Sequence, residues 1–244
     1  MNTLLEANGV SVKGMTGFRL KDINLKIDLG DKVALIGKSG SGKTTLLNVL
    51  NGALTCDGDV LFNGQHVKGL KRKYRRNIAT FWQDLRLIEE LSVGQNINCG
   101  ALGKHNPIWA LRNLMGEIGT KKCITCMDAA ELSIDLINED ITKLSSGQRT
   151  RVAIARLFRQ ESEIILADEP FSHLDKVLTK KILNTFLHLK SYQDLNIANT
   201  YLISIHQLEL LDKFTRVIGL KGGEIVLDYQ ATQIKTEDIE NLYK

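Results

Sequence analysis

Three groups of residues in this sequence have types and spacing suited to phosphate chemistry. The first, Gly37-Lys38-Ser39-Gly40-Ser41-Gly42-Lys43-Thr44, follows the spacing G-x-x-x-x-G-K-[ST]. Its glycines let the backbone wrap with N–H groups pointing inward, and no Cβ stands in the way. Lys43 supplies a point charge for terminal phosphates, and the Thr44 hydroxyl supplies a ligand for Mg²⁺. The second group is Asp168-Glu169 at the end of an apolar run. Asp168 is placed to hold Mg²⁺, which prefers carboxylate and phosphate oxygens and keeps several waters. Glu169, on the other face of the strand end, is placed to orient or deprotonate a water. Read alone, two acids after an apolar run fit a solvated loop as well as a site; the upstream glycine loop favours the site. The third group is Leu144-Ser145-Ser146-Gly147-Gln148. Its small residues cap a helix N-terminus, where free N–H groups and the dipole attract an anion.

Each group needs an element to hold it. Residues 33–36 are uninterruptedly apolar, as in a strand buried on both faces, and residues 45–50 suit the helix that follows the loop. Residues 164–167 form a second apolar strand stopped by Pro170, and residues 200–205 a third that ends at His206. Residues 3–31 read as an antiparallel opening, with period-two alternation at 24–29. Residues 58–64 read as a strand closed by an Asn-Gly turn, and Lys221-Gly222-Gly223 as a hairpin turn. Residues 78–83 are a further strand candidate ending in the amide of Gln83. Between 84 and 158 the period lengthens, which predicts helices near 96–103, 108–118 and 127–137 and a helical subdomain inserted between core strands. Residues 179–189 and the polar tail after 230 also carry helical spacing. The expected fold class is α/β: a P-loop NTPase core with a mixed sheet, an N-terminal antiparallel β-subdomain and the inserted helical subdomain. No flexible linker marks the edges of the insertion, so residues 1–244 are expected to fold as a single domain.

Composition narrows the class. With 244 residues and 43% hydrophobic content, the chain has enough apolar surface for a large core, and two prolines argue against disorder. A net charge of +4 is small for a nucleic-acid binder and fits work near an anionic membrane. Lys71-Arg72-Lys73-Tyr74-Arg75-Arg76 is the densest basic run. It reads as a nucleic-acid patch or as a solvated face, and acidic residues elsewhere favour the solvated face. No apolar stretch approaches about 18 residues, and Glu6 and Asn8 interrupt the start, so neither a membrane span nor a signal peptide is expected. Phosphate chemistry on a nucleotide places the chain in the cytosol. Cys123-Ile124-Thr125-Cys126 has metal or redox spacing, but no second pair or nearby His completes a zinc site. Reduced structural cysteines are the expected reading.

Taken in order, these motifs resemble those of the ATP-binding-cassette (ABC) ATPases over nearly the whole chain. Leu144 to Gln148 is similar to the family's L-S-G-G-Q signature, with Ser146 where glycine is usual. Ser172-His173-Leu174-Asp175 is similar to its D-loop, with His173 in place of alanine. The resemblance implies that Gln83 is the Q-loop glutamine, sensing Mg²⁺ and the attacking water, and that His206 is the switch histidine near the γ-phosphate. It implies an ATP site built from Gly37, Lys38, Ser39, Gly40, Ser41, Gly42, Lys43, Thr44 and Thr45. Ser145, Ser146, Gly147, Gln148 and Asp175 of a second copy would complete it. The implied metal ligands are Thr44, Gln83 and Asp168, and the implied catalytic set is Glu169, His206 and Gln83. An aromatic for adenine is expected upstream of the loop, where Phe18 is the candidate. The implied partners are a second copy, transmembrane permease subunits that dock near 84–91 and, indirectly, a solute-binding protein. The implied location is peripheral, on the cytoplasmic face of the cell membrane, with no nucleic acid. Leu91-Ser92-Val93-Gly94-Gln95-Asn96-Ile97, Gly100-Ala101-Leu102-Gly103, Pro107-Ile108-Trp109 and His206-Gln207 are similar to phosphonate-import ATPases. A lipoprotein- or macrolide-type exporter ATPase and a soluble ABC ATPase acting on nucleic acid are the alternatives.

Overall fold

The computed structural model describes residues 2–15, 17–116, 120–187, 195 and 198–244. In chain order the described strands are β1 Thr3–Gly14, β2 Gly17–Asp28, β3 Lys32–Ile36, β4 Asp57–Phe62, β5 Gln65–His66, β6 Ile78–Phe81, β7 Ile164–Asp168, β8 Thr200–Ser204, β9 Arg216–Lys221 and β10 Glu224–Gln230. The α-helices are α1 Lys43–Leu50, α2 Arg72–Arg75, α3 Val93–Cys99, α4 Pro107–Leu114, α5 Thr120–Ala129, α6 Ser146–Arg159, α7 Lys176–Leu187 and α8 Thr236–Tyr243. They divide into two compact units. One comprises residues 1–71, 164–169 and 199–244; the other comprises 72–163 and 170–198.

The first unit holds the sheets. β1 pairs antiparallel with β2 and β4, and β4 with the short β5, in the order β2-β1-β4-β5. The turn between β4 and β5 is Asn63-Gly64, both at positive φ (49° and 72°), which suits the twist of a two-residue hairpin. In the other sheet of this unit, β3 lies parallel between β8 and β9, β7 lies parallel beside β8, and β10 pairs antiparallel with β9. Every residue of β7 and β8 is buried. Such strands read as continuous apolar runs because helices or further layers cover both faces.

The second unit is mostly helical, and its helices differ from the expected positions. α3 starts at Val93 rather than near 96, because Ser92 and Gln95 form a reciprocal capping box that fixes the start. The third predicted helix, 127–137, is overturned: α5 runs over Thr120–Ala129 and so carries both cysteines of the C-x-x-C stretch. Glu131 sits at φ 55° and Leu132 N–H donates to the Met127 carbonyl at 2.9 Å, a left-handed stop that ends the helix there. α4 runs over Pro107–Leu114 and stops short of the predicted 118, because Met115 and Gly116, the latter at φ 85°, form a turn; α7 runs over Lys176–Leu187 and so starts three residues before the predicted 179, and 117–118 and 188–189 lie outside the described residues. α3 crosses α6 closely at Gly100, where a Cβ would come within 2.1 Å of the Arg156 carbonyl.

Cys123 and Cys126 are buried on α5, and burial pushes their thiols up to about 11 and about 12. Both are therefore protonated at neutral pH and poor nucleophiles. Among the described residues no three His, Cys, Asp or Glu gather as a metal site. The basic run falls on α2, none of whose residues is buried. Among the described residues no helix is long and apolar enough to cross a membrane.

Candidate functional site

In the first unit three adjacent parallel strands, β3, β8 and β7, end facing the same way, and each hands on a chemical group. Crevices at the carboxyl ends of parallel strands are where such sheets bind ligands. β3 runs into the glycine loop, β7 ends at Asp168 and Glu169, and His206 lies two residues past β8.

The loop is shaped by contacts from behind. Gly37 has φ 150°, and a Cβ there would lie 2.3 Å from the Leu220 carbonyl and 2.7 Å from Ser41 Oγ, so only glycine fits. Gly223 N–H donates to the Ser41 carbonyl at 3.1 Å, tying the β9–β10 turn to the loop. Ser41 Oγ is buried without a hydrogen-bond partner among the described residues, an orphan that a ligand oxygen would satisfy. Ser39 and Gly40 are exposed at the tip. Gly42, at φ 107°, is the N-cap of α1 and offers no side-chain cap, which leaves the first amides of α1, including those of Thr44 and Thr45, without a capping side chain. Phe18 stands at the start of β2, 51% exposed, next to Arg19, whose carbonyl lies beside Gly42.

Lys43 is buried, and two of its ammonium donors go to the carbonyls of Gly37 (2.8 Å) and Lys38 (3.1 Å). Burial pushes its pKa down, and the carboxylates of Glu169 and Asp168 pull it back up. Thr44 Oγ1 donates to Asp168 Oδ2 at 2.6 Å, so the two expected metal ligands already face each other. A hydroxyl and a carboxylate beside an amide-rich loop fit Mg²⁺, which takes few protein oxygens and completes its shell with phosphate and water.

Ser204, which the sequence reading passed over as one more strand residue, holds both acids. Its hydroxyl donates to Asp168 Oδ1 at 2.7 Å and accepts from the Glu169 N–H at 2.9 Å. A polar residue at the end of an otherwise apolar strand was the available signal. Glu169 sits at φ 50°, outside the usual region for a side-chain-bearing residue. Its carboxylate meets His206 Nε2 at 2.5 Å. Replacing Ser204 with alanine removes one hydrogen bond from each acid. The expected result is a loss of about 1–3 kcal/mol in stability, read as a lower thermal midpoint, with a fall in ATP turnover larger than the fall in ATP affinity. Unchanged turnover would show that Ser204 does not position the acids.

The second unit carries the other predicted residues. Gln83 does not end its strand, as the sequence suggested; β6 stops at Phe81 and Gln83 is exposed in the turn beyond. The chain turns there because Leu85 N–H returns to the Trp82 carbonyl at 3.0 Å, Leu85 and Arg86 take positive φ, and Arg86 stacks on the Trp82 ring at 3.6 Å. Arg156 of α6 donates to the Arg86 carbonyl at 2.6 Å and to that of Leu85. The Gln83 turn is thereby anchored to the helix that Ser145 begins.

Ser145 is the N-cap of α6. Its hydroxyl accepts from Gln148 N–H at 3.3 Å, and Gln148 Oε1 accepts from Ser145 N–H at 2.9 Å. Ser146 and Gly147 are therefore the first helical residues, with Ser146 exposed. Gly147 lies beside the His173 carbonyl, so the signature-like and D-loop-like stretches adjoin within this unit. Asp175 caps α7, accepting from Val177 and Leu178 N–H at 2.9 Å each. That cap is a structural role the sequence reading did not give it.

Comparison with known proteins adds a family match, two relatives and two solved structures. Residues 20–172 match the family model described as ABC transporter. The phosphonates import ATP-binding protein PhnC of Staphylococcus haemolyticus is 36% identical over 98% of this chain and 92% of its own length. PhnC of Staphylococcus aureus is 37% identical over 92% of this chain and 88% of its own. Among solved structures, a dimeric bacterial ABC transporter cassette superposes with a TM-score of 0.80 at 27% identity, covering 93% of this chain and 99% of that one. A dimeric post-hydrolysis cassette bound to ADP and Pi gives 0.79 at 30% identity with the same coverage.

Proposed function

The chain belongs to the ABC transporter family, as an ATP-binding and ATP-hydrolysing subunit, and on that premise we propose that it powers import of a phosphonate or related phosphorus oxyanion. What supports the choice of solute is the likeness to proteins named for phosphonate import over nearly the full length of chain and relative. The observation that carries the nucleotide site is the Thr44–Asp168 contact at 2.6 Å beside the buried Lys43 and the Glu169–His206 pair.

In this reading the loop amides from Gly37 to Thr45 and the Lys43 ammonium hold the phosphates. Thr44 and Asp168 would hold Mg²⁺, which would neutralise charge on the phosphate oxygens. Glu169 accepts a proton from the water that attacks the γ-phosphorus. The new O–P bond forms as the bond to the β-phosphate oxygen breaks, and ADP and phosphate leave. His206 orients the Glu169 carboxylate and reaches toward the γ-phosphate. Most of the acceleration in such transfers is positioning and charge stabilisation. Ser145, Ser146, Gly147, Gln148 and Asp175 complete the nucleotide site of a second copy in a two-fold dimer. Permease subunits couple that dimer to the solute, a binding protein delivers it, and the chain works peripherally at the cytoplasmic face of the membrane.

The test of the solute is reconstitution in vesicles with a permease and a solute-binding protein of the phosphonate-import type. ATP turnover and uptake should rise severalfold with an alkylphosphonate outside, and less with sulfate. Basal ATP turnover that ignores every phosphorus oxyanion would sink the import reading and leave the ATPase standing.

A further inference from the structure

Surface helices normally turn their apolar stripe to the core. α4 does the opposite. Its one buried residue is polar: Asn113, 2% exposed. Asn113 Nδ2 donates to the Gln95 carbonyl at 3.2 Å, and Asn113 Oδ1 accepts from Asn98 Nδ2 at 3.2 Å. Gln95 Nε2 donates in return to the carbonyls of Asn113 at 2.8 Å and Leu114 at 3.0 Å. Arg159 Nε donates to Asn98 Oδ1 at 3.2 Å. Rolling α4 to bury its apolar side would break the bonds from Gln95 and Asn98 and strand the buried Asn98 amide. The clamp therefore keeps Ile108, Leu111, Leu114 and Met115 outward, at 68%, 58%, 58% and 73% exposure. Spaced i, i+3, i+6 and i+7, they share one side of the helix. Single exposed apolar residues are ordinary on a protein surface. Here four of the thirteen large ones among the described residues fall within eight positions, which makes a patch.

The rim of this patch is cationic. A groove beside it is lined by Lys104, His105, Asn106, Ile108, Trp109 and Arg112. His105 and Trp109 stack at 4.1 Å and 14°, forming one flat aromatic wall. Burial lowers the pKa of His105, and Arg159, Lys122 and Lys104 lower it further against the pull of Glu161. The ring is thus neutral at neutral pH, and the charged groups that face it are three cations and one acid. Glu161 is shared between Lys104 at 2.9 Å and Lys122 at 2.5 Å, so it offsets only one of them. From Leu91 to Gly116 the sequence has no Asp or Glu; the next acid, Glu117, lies outside the described residues.

From this geometry we propose that α4 rests on an anionic lipid surface: Ile108, Leu111, Leu114 and Met115 enter the headgroup layer, and Lys104, Arg112 and Lys122 attract the lipid phosphates. Apolar side chains and a Trp, flanked by cations, are the pattern of helices that lie in the membrane interface. A protein partner fits less well. A stable protein–protein interface takes about 20–30 residues a side, and this patch is one helix of eight residues. The contact goes beyond attachment through permease subunits and stands apart from the nucleotide and solute readings.

The experiment uses the full chain and vesicles of phosphatidylcholine, with or without phosphatidylglycerol, read by co-sedimentation. The bound fraction should rise severalfold with phosphatidylglycerol and fall as salt screens the cations. Leu111→Asp should weaken binding about tenfold and Arg112→Gln about fivefold. Both side chains are exposed, so both variants should keep the thermal midpoint within a few degrees. Binding that needs both the anionic lipid and Leu111 supports the proposal. Wild-type binding that phosphatidylglycerol does not increase overturns it, and so does binding that both variants retain. Wild-type protein that ignores lipid but self-associates, with Leu111→Asp abolishing the association, assigns the face to a second copy and overturns it too. Binding only to vesicles that carry a permease overturns it in favour of that subunit. A chain that binds vesicles in this way but does not turn over ATP would sink the nucleotide reading and leave this one standing.

Discussion

Glu169→Gln is expected to keep ATP bound and to stop its hydrolysis. The substitution changes one oxygen to an amide nitrogen and leaves the side-chain shape intact. Three features show why the remaining structure should tolerate it. The backbone of residue 169 is held at φ 50° by its place in the chain and by the Ser204 hydroxyl at 2.9 Å, neither of which involves the carboxylate. The amide oxygen can still accept from His206 Nε2, now 2.5 Å from the carboxylate. Asp168, which faces Thr44, is untouched. What is lost is the capacity to take a proton from water, since an amide has no useful basicity at neutral pH. General-base catalysis contributes about 10²–10⁴-fold, so kcat should fall by that factor while the ATP affinity stays within a few-fold. With two copies closing over two nucleotides and no hydrolysis to part them, size-exclusion chromatography with ATP and Mg²⁺ should show a stable dimer that wild-type protein does not accumulate. Full turnover by the variant would mean that another group serves as base, and His206 would be the first to examine.

The residues of this site were legible in the sequence for a physical reason. Residues 33–36 and 164–167 are unbroken apolar runs because β3 and β7 are covered on both faces, and the polar group directly after each run lies at the strand's carboxyl end. Three such ends on adjacent parallel strands lie side by side, which brings Lys43, Thr44, Asp168, Glu169 and His206 together. Helix positions were less legible because local caps outvoted apolar spacing. Ser92 with Gln95 started α3 early, and Glu131 at positive φ ended α5 before residues 130–137 could join it. Gln83 was misjudged by the same kind of local event, a turn stabilised by Arg86 on Trp82 that cut β6 short. Ser204 was out of reach for a different reason. Its partners lie 35 and 36 positions away, and a single serine carries no spacing signal of its own.

Lys43→Ala is expected to cost the chain most of its hold on ATP, with little cost to the fold. The ammonium is buried beside the loop, and burial alone disfavours its charge, so removing it relieves a desolvation penalty. Against that, the Gly37 and Lys38 carbonyls lose their donors at 2.8 and 3.1 Å. These effects oppose each other, so the thermal midpoint without nucleotide should move by no more than a few degrees. Binding has no such offset. A charge-assisted hydrogen bond to a phosphate is worth about 1.5–3 kcal/mol, and the alanine variant loses it outright. The ATP dissociation constant should therefore rise about 10- to 100-fold, since each 1.4 kcal/mol is a factor of ten. Lys43→Arg should fail to restore it. The planar guanidinium is larger than an ammonium and cannot donate to the Gly37 and Lys38 carbonyls along the same directions in a space this closed. Titration with a fluorescent ATP analogue, beside a thermal melt of the same samples, reads both quantities at once. Unchanged ATP affinity in a folded Lys43→Ala protein would remove the loop from the nucleotide site. A melt that collapses along with binding would make Lys43 a structural residue, whatever its neighbours do.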